Sequence, residues 1–292
     1  MFFEWMSQFE EGLVGIERLD DYIRMEFEPG AKLPAIAQFK TNHPQYKAGE
    51  EELLSQSNLL KLPKAEIEFK NVWLRYQLHL PAVLKGVSFK VHAGERLGII
   101  GRTGSGKSSL IQALFNLYPL EQGEILVASE SATKMDLNLY RRLLSFISQD
   151  PVLFTGSLRD NLDVDHKLKL EDIYRALGQV GLREWANPAS LSRVIEERGR
   201  NLSLGERQLI CMARCLLQAS PAVVMDEATS SIDPHSEELL VKATEQFFHG
   251  RTQIIIAHRL STLQDCDRIL WLEHGKIKMI DSADKILTAF RL

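Results

Sequence analysis

The sequence contains little cysteine, and its three cysteines do not have the spacing of a metal site. Cys211 and Cys215 lie four residues apart on an apolar stretch with helical periodicity, where buried thiols are more typical than metal ligands. The third cysteine, Cys266, lies far along the chain from both. A sparse and odd number of cysteines is typical of a protein from a reducing compartment.

Long apolar runs, an excess of positive charge and internal repeats are also absent. No apolar run has the length of a membrane span, and no stretch has the basic, apolar and small-residue pattern of a signal peptide. A net charge of −4 argues against a nucleic-acid partner that is held by bulk electrostatics. With 292 residues, 45% hydrophobic and 25% charged, the composition predicts a soluble, intracellular globular chain.

One eight-residue stretch, Gly101–Ser108, has a sequence that is specific for phosphate binding, G-R-T-G-S-G-K-S. A short apolar run, Leu97–Ile100, precedes it and predicts a buried strand, and Ser109–Phe115 has the apolar spacing of a helix. A strand, a glycine loop and a helix in this order are the context in which the P-loop pattern binds a nucleotide.

The residue types of this loop suit the capture of a polyphosphate. Its glycines let the backbone pass close to an anion, and the N–H groups at the helix start direct positive charge toward it. Lys107 would add a full charge over the β- and γ-phosphates, and the Ser108 hydroxyl would ligate Mg²⁺. The loop residues that we predict to hold ATP are Gly101, Thr103, Gly104, Ser105, Gly106, Lys107, Ser108 and Ser109.

Three further predicted strands end in polar residues with matching chemistry. The apolar run Ala222–Met225 is followed by Asp226, which would orient Mg²⁺, and by Glu227, which would polarise the attacking water. Gln149 follows the predicted strand at 143–147 and would complete the Mg²⁺ coordination through its side-chain oxygen. His258 follows the run 254–257, at a position where it would contact the γ-phosphate.

The segment Asn201–Gln208 predicts a helix start. Ser203 followed by Glu206 fits a capping box that opens an apolar helix through Leu217. A helix N-terminus with a serine hydroxyl is also a phosphate site, so both interpretations apply to the same residues.

The arrangement of predicted elements indicates an α/β fold. Apolar strands that alternate with helices predict a mostly parallel sheet, and the alternating strands at 67–69, 72–76 and 83–91 predict an antiparallel side sheet. Residues 158–220 are mostly helical in pattern and would form a helical sub-domain. Residues 28–64, rich in proline and glycine, predict a linker. Residues 1–27 predict a helix that either packs on its own domain or ends a longer helix.

At these residues the chain, from about Ala65 to Leu292, resembles the nucleotide-binding domain of ATP-binding cassette (ABC) transporters. In this resemblance Gly101–Ser108 is the Walker A loop, and Val223–Glu227 is the Walker B strand with its catalytic glutamate. The remaining matches are Gln149 to the Q-loop, Asn201–Gln208 to the signature, Asp233 to the D-loop at the dimer interface, and His258 to the switch histidine. Tyr76 lies where the family stacks an aromatic ring on adenine, with Trp73 as the alternative.

Other segments indicate a branch of the family. Residues 149–163 resemble the second cassette of the multidrug-resistance-associated, C-type exporters, and Glu197–Gly199 resembles the loop that senses the coupling helices. Residues 6–19 resemble the segment where the last transmembrane helix leaves the bilayer, which favours a helix remnant at 1–27. The resemblance implies a location on the cytoplasmic face of a membrane, with transmembrane domains and a second cassette as partners.

The signature departs from the family pattern L-S-G-G-Q, since this chain has Leu204 and Glu206 at its third and fifth positions. In the family each ATP lies between one cassette's P-loop and the partner's signature, so Ser203, Gly205 and Glu206 would contact the partner's nucleotide. A carboxylate near a polyanion weakens that contact and favours a non-identical partner. Transport-coupled ATP hydrolysis is the first functional hypothesis, a gating or regulatory cassette is the second, and a DNA-repair cassette fits poorly.

Overall fold

The computed structural model describes residues 64–77, 79–226, 243–256 and 263–290. The predicted helix at 1–27 and the predicted linker up to residue 63 lie outside these ranges. The strands are β1 (Ile67–Leu74), β2 (Leu84–Val91), β3 (Arg96–Ile100), β4 (Gln122–Val127), β5 (Glu130–Ser131), β6 (Leu144–Ile147), β7 (Gly156–Ser157), β8 (Val194–Ile195), β9 (Ala222–Asp226), β10 (Thr252–Ile256), β11 (Arg268–Glu273) and β12 (Lys276–Ser282).

The helices among the described residues are short, apart from one. They are α1 (Lys107–Leu114), α2 (Leu137–Arg142), α3 (Leu158–Leu162), α4 (Leu170–Gln179), α5 (Pro188–Leu191), α6 (Leu204–Gln218) and α7 (Ala283–Phe290). Residues 243–248 are also helical, and Arg183–Trp185 and Glu197–Gly199 form 3₁₀ turns. Within the described ranges, no helix combines the length and the apolar character that a membrane crossing requires.

The central sheet has the strand order β12-β11-β3-β10-β9-β6, and only β12 runs antiparallel to its neighbour. Alternate residues of β9 face opposite sides of the sheet: Val223 and Met225 pack in one hydrophobic cluster, and Ala222 and Val224 pack in the other. Strands that are buried on both faces need apolar residues at every position, which explains the continuous apolar runs. The predicted α/β fold with a mostly parallel sheet is confirmed.

A second, antiparallel sheet of order β2-β1-β4-β5 packs on one side of the core, together with α1. The prediction of separate strands at 67–69 and 72–76 is wrong, because β1 is one strand with a β-bulge. The register shifts between Phe69 and Val72, and Asn71 adopts a left-handed φ of 49°. A bulge inserts an unpaired residue and interrupts the alternation, so the sequence pattern divides where the strand continues.

The other side of the core contains α3 to α6. The predicted capping box at the start of α6 is present: Ser203 Oγ accepts from Glu206 N at 3.1 Å, and Glu206 Oε2 accepts from Ser203 N at 2.7 Å. The predominantly helical stretch also includes β8, which pairs antiparallel with β7. The division of residues 158–220 into a sub-domain of their own stays a prediction.

Candidate nucleotide-binding site

The loop between β3 and α1 has the backbone geometry of an anion cradle. Gly104 and Gly106 have φ values of 79° and 110°, in a region that side chains disfavour. A Cβ atom at Gly101 would lie 2.4 Å from the carbonyl oxygen of Leu272, so this turn requires glycine for space. A Cβ at Gly104 would have no described atom within 4 Å, because this residue faces the open cleft.

Helix α1 starts at Lys107, two residues before the predicted start, and its N-cap is Gly106. Among the described residues, no side chain caps the first N–H groups of this helix. Uncapped N–H groups at a helix start carry partial positive charge and attract phosphate oxygens. The cradle and the helix start therefore fit a polyphosphate.

The ammonium of Lys107 lies within the loop. Its side chain is buried, and Nζ donates to the carbonyl oxygen of Gly101 at 2.8 Å. Burial lowers the pKa of Lys107, and the nearby Asp226 carboxylate opposes this shift. Such an amine, close to the glycine backbone, is placed to offset the charge of a phosphate.

The ends of three strands bring the predicted ligands to one cleft. β6 and β9 are parallel neighbours with Ile147 beside Met225, so Gln149 and Asp226 follow at the same edge of the sheet. The cleft has a volume of about 260 Å³. Its described lining residues are Val83, Thr103, Gly104, Gly106, Lys107, Ser108, Ser109, Gln149 and Asp226. Val83 was not predicted as a site residue, because it begins a predicted strand and a valine there carries no signal for nucleotide binding.

The oxygen donors in this cleft fit Mg²⁺. The lining residues Ser108, Gln149 and Asp226 carry a hydroxyl, an amide and a carboxylate oxygen, which are the hard ligands that Mg²⁺ prefers. In the described ranges, no group of three or more His, Cys, Asp or Glu side chains could hold a metal by itself. A single carboxylate with neutral oxygens suits a cation that also binds the substrate's phosphates.

The hydroxyl of Tyr76 makes hydrogen bonds to α1, the helix that follows this loop. Its phenol donates to Gln112 Oε1 at 2.5 Å and contacts Ser109 Oγ at 2.8 Å, both on α1. The ring packs edge-on with Tyr118, with centroids 4.8 Å apart. The alternative, Trp73, instead donates from Nε1 to Asn71 Oδ1 at 3.2 Å, within its own strand. Tyr76 thus contacts a cleft-lining residue, although it is not among the described lining residues itself.

The other predicted site residues are elsewhere. Ser203, Gly205 and Glu206 lie at the start of α6 and are not among the described lining residues of the cleft. The remaining two loop residues, Gly101 and Ser105, support its turn, and Ser105 O accepts from Gly275 N at 2.9 Å. The predicted positions Glu227, Asp233 and His258 lie outside the described residues.

Gln208, the last residue of the segment that resembles the signature, makes contacts beside this site that the sequence did not predict. It is fully buried on α6, and Nε2 donates to the carbonyl oxygens of Ser148 at 3.1 Å and Gln149 at 2.8 Å. The two partners are about 60 positions earlier in the chain, so local sequence carries no signal for this contact.

Comparison with known families matches residues 84–230, about half of the chain, to the family described as ABC transporter. The chain belongs to the ABC transporter family. ABC transporter C family member 3 of Dictyostelium discoideum is 42% identical over 75% of the chain, and ATP-binding cassette sub-family C member 3 of Homo sapiens is 36% identical over 97%. The prediction of a nucleotide-binding domain of the C-type branch is confirmed.

The ABC chain spans only 16% and 18% of the lengths of these two relatives. Among solved structures, a bacterial Atm1-family ABC exporter with ATP bound is similar, with a TM-score of 0.77 and 27% sequence identity. That match covers 96% of this chain and 46% of the exporter chain. It confirms the ABC ATPase fold that the motifs predict.

Proposed function

We propose that this chain is the ATP-binding and ATP-hydrolysing cassette of a C-type exporter. In this proposal, ATP-driven association of two cassettes is coupled to export of a substrate across a membrane. The observation that carries it is the convergence of Lys107, Ser108, Gln149 and Asp226 on one cleft beside an uncapped helix start. Few functions other than nucleotide triphosphate binding need this combination.

The described residues take the following roles. The glycine loop and Lys107 bind the phosphates, and Ser108, Gln149 and Asp226 hold Mg²⁺, which when bound neutralises charge on the β- and γ-phosphate oxygens. Tyr76 supports adenine, because its hydroxyl contacts fix the ring beside α1. We assign activation of the attacking water to Glu227, the γ-phosphate contact to His258, and an interface role to Asp233.

The partners follow from the start of α6. Ser203, Gly205 and Glu206 would face the nucleotide of a second cassette, and the carboxylate of Glu206 would weaken binding there. A non-identical partner with an intact signature would then complete the stronger site on this chain. We place the assembly, with its transmembrane domains, at the cytoplasmic face of a membrane, and we propose no nucleic-acid partner because the net charge is −4.

The assigned water-activating residue gives the test of hydrolysis. In the assembled transporter, Glu227→Gln should retain ATP binding and lose steady-state phosphate release, because an amide accepts no proton at neutral pH. Undiminished phosphate release in this variant would refute the assignment of Glu227.

The unusual signature supports a second candidate, a gating cassette that switches a channel or an associated protein when ATP binds. Leu204 and Glu206 would disfavour hydrolysis of the ATP that is bound to the second cassette and contacts this signature. They would not affect ATP binding to Lys107. A non-hydrolysable ATP analogue separates the candidates in the assembled protein. Sustained current with the analogue would favour gating, and loss of repeated transport cycles would favour the exporter.

A further inference from the structure

Helix α6 covers the open edge of the central sheet with hydrogen-bond donors. β6 is the edge strand, and the carbonyl oxygen of Leu143, the residue immediately before it, accepts from Ala222 N of the neighbouring strand at 3.3 Å. Successive carbonyls of a strand point in opposite directions, so those of Leu144 and Phe146 face the open edge. Gln218 donates to Leu144 O at 3.2 Å, and Cys215 Sγ donates to Phe146 O at 3.6 Å.

Gln208 extends this row of donors past the end of the strand. It precedes Cys215 by seven residues, two helical turns, and therefore lies on the same face of α6. Its Nε2 contacts the backbone of Ser148 and Gln149 instead of the strand. Both partners are carbonyl oxygens, so only the amide nitrogen satisfies them, and Oε1 has no hydrogen-bond partner within the described part of the chain.

The contact joins two parts of the proposed site. Gln149 is one of the residues that line the cleft, and its backbone carbonyl accepts a hydrogen bond from Gln208. Three residues before Gln208 on the same helix lies Gly205, at the start that we assign to the partner's nucleotide. One fully buried side chain therefore connects the helix that faces the partner to a predicted Mg²⁺ ligand.

We propose that Gln208 is a positioning residue that holds Gln149 in place for Mg²⁺. This inference rests on the proposed function, because it needs Gln149 to be a Mg²⁺ ligand. Groups that orient a metal ligand typically alter metal affinity by roughly 10- to 100-fold when they are removed. The hydrogen bonds described for Gln208 go to Ser148 and Gln149 and not to Lys107 or the glycine loop, so we expect binding of ATP without metal to be independent of Gln208.

The readout is the ratio of the ATP dissociation constant in EDTA to that in Mg²⁺, measured by calorimetry on the 292-residue chain. A general loss of structure raises the ATP dissociation constants both in EDTA and in Mg²⁺. A loss of ligand positioning raises only the constant in Mg²⁺ and therefore lowers the ratio. Gln208→Met removes both N–H donors at similar length, and Gln208→Leu removes them with a shorter apolar side chain. Gln218→Met is the control for the sheet edge, because the exposed Gln218 also donates from Nε2 to a backbone carbonyl of this edge, at the other end of α6.

We expect Gln208→Met to lower the ratio at least about tenfold, as Gln149→Ala does, with an unchanged ATP constant in EDTA. Gln218→Met should leave the ratio as in the wild type. Urea unfolding identifies folded variants, and Gln208→Leu provides the measurement if Gln208→Met is unfolded.

The remaining outcomes distinguish failure of the proposed Mg²⁺ site from failure of the role proposed for Gln208. A wild-type ratio of one, or an unchanged ratio in Gln149→Ala, would refute the proposed Mg²⁺ site itself. A lowered ratio in Gln149→Ala together with a wild-type ratio in folded Gln208 variants would overturn this inference alone. An equal decrease in Gln218→Met would also overturn it, since the effect would then come from a loosened sheet edge.

Discussion

Replacing Gly104 by alanine tests the phosphate cradle, and the chain contains a matched control in Gly250. The two glycines have φ values of 79° and 77°, and a Cβ atom at either would have no described atom within 4 Å. Alanine in this left-handed conformation costs about 1–2 kcal/mol, so both variants should lose similar unfolding free energy. Only Gly104 lines the cleft.

A methyl group at Gly104 occupies space that a phosphate needs, whereas one at Gly250 extends into a remote turn. Inserting a methyl into a filled site costs about 1–3 kcal/mol, which corresponds to a roughly 5- to 150-fold weaker ATP affinity. Calorimetry with MgATP measures affinity, and urea unfolding measures stability. If Gly104→Ala and Gly250→Ala bind ATP equally well, the loop is not the phosphate cradle.

Three other variants test the charges and the core. Lys107→Ala should weaken ATP binding roughly 10- to 150-fold in calorimetry, since a charged hydrogen bond contributes about 1.5–3 kcal/mol; an unchanged constant would contradict its role. Glu206→Gln keeps an acceptor for Ser203 N and removes the charge, so the assembled pair should release the partner's nucleotide more slowly; an unchanged release rate would contradict the repulsion. Burial raises the pKa of Cys215 from 9.0 to about 12, so its contribution to stability is present below pH 9 and is lost as the pH rises to about 12. The urea midpoint should therefore fall less in Cys215→Ala than in the wild type between about pH 8 and about pH 10.5. An equal fall in the two proteins would contradict the buried thiol of Cys215 as the cause.

Much of the site could be predicted because its chemistry lies at strand ends. An apolar run followed by a glycine loop, an acid or a glutamine is visible in local sequence, and parallel strands bring such ends to one edge. Lys107, Gln149 and Asp226 meet in this way. The capping box of α6 could also be predicted from local sequence, because its two residues are three positions apart.

Contacts between distant segments could not be predicted. The bonds from Gln208 to Ser148 and Gln149 depend on how α6 packs against the edge of the sheet, and no local pattern records that packing. Strand β12 was missed because it is an edge strand whose residues are mostly half-buried, which leaves weak alternation. The hydroxyl contacts that hold Tyr76 beside α1 likewise require the folded arrangement.

The most direct measurement is a calorimetric titration of the purified chain with ATP, in Mg²⁺ and in EDTA. The proposed arrangement predicts binding of one ATP per chain that is tighter in Mg²⁺. The absence of any Mg²⁺-dependent ATP affinity in a folded sample would contradict the claim that this cleft binds a nucleotide together with its metal.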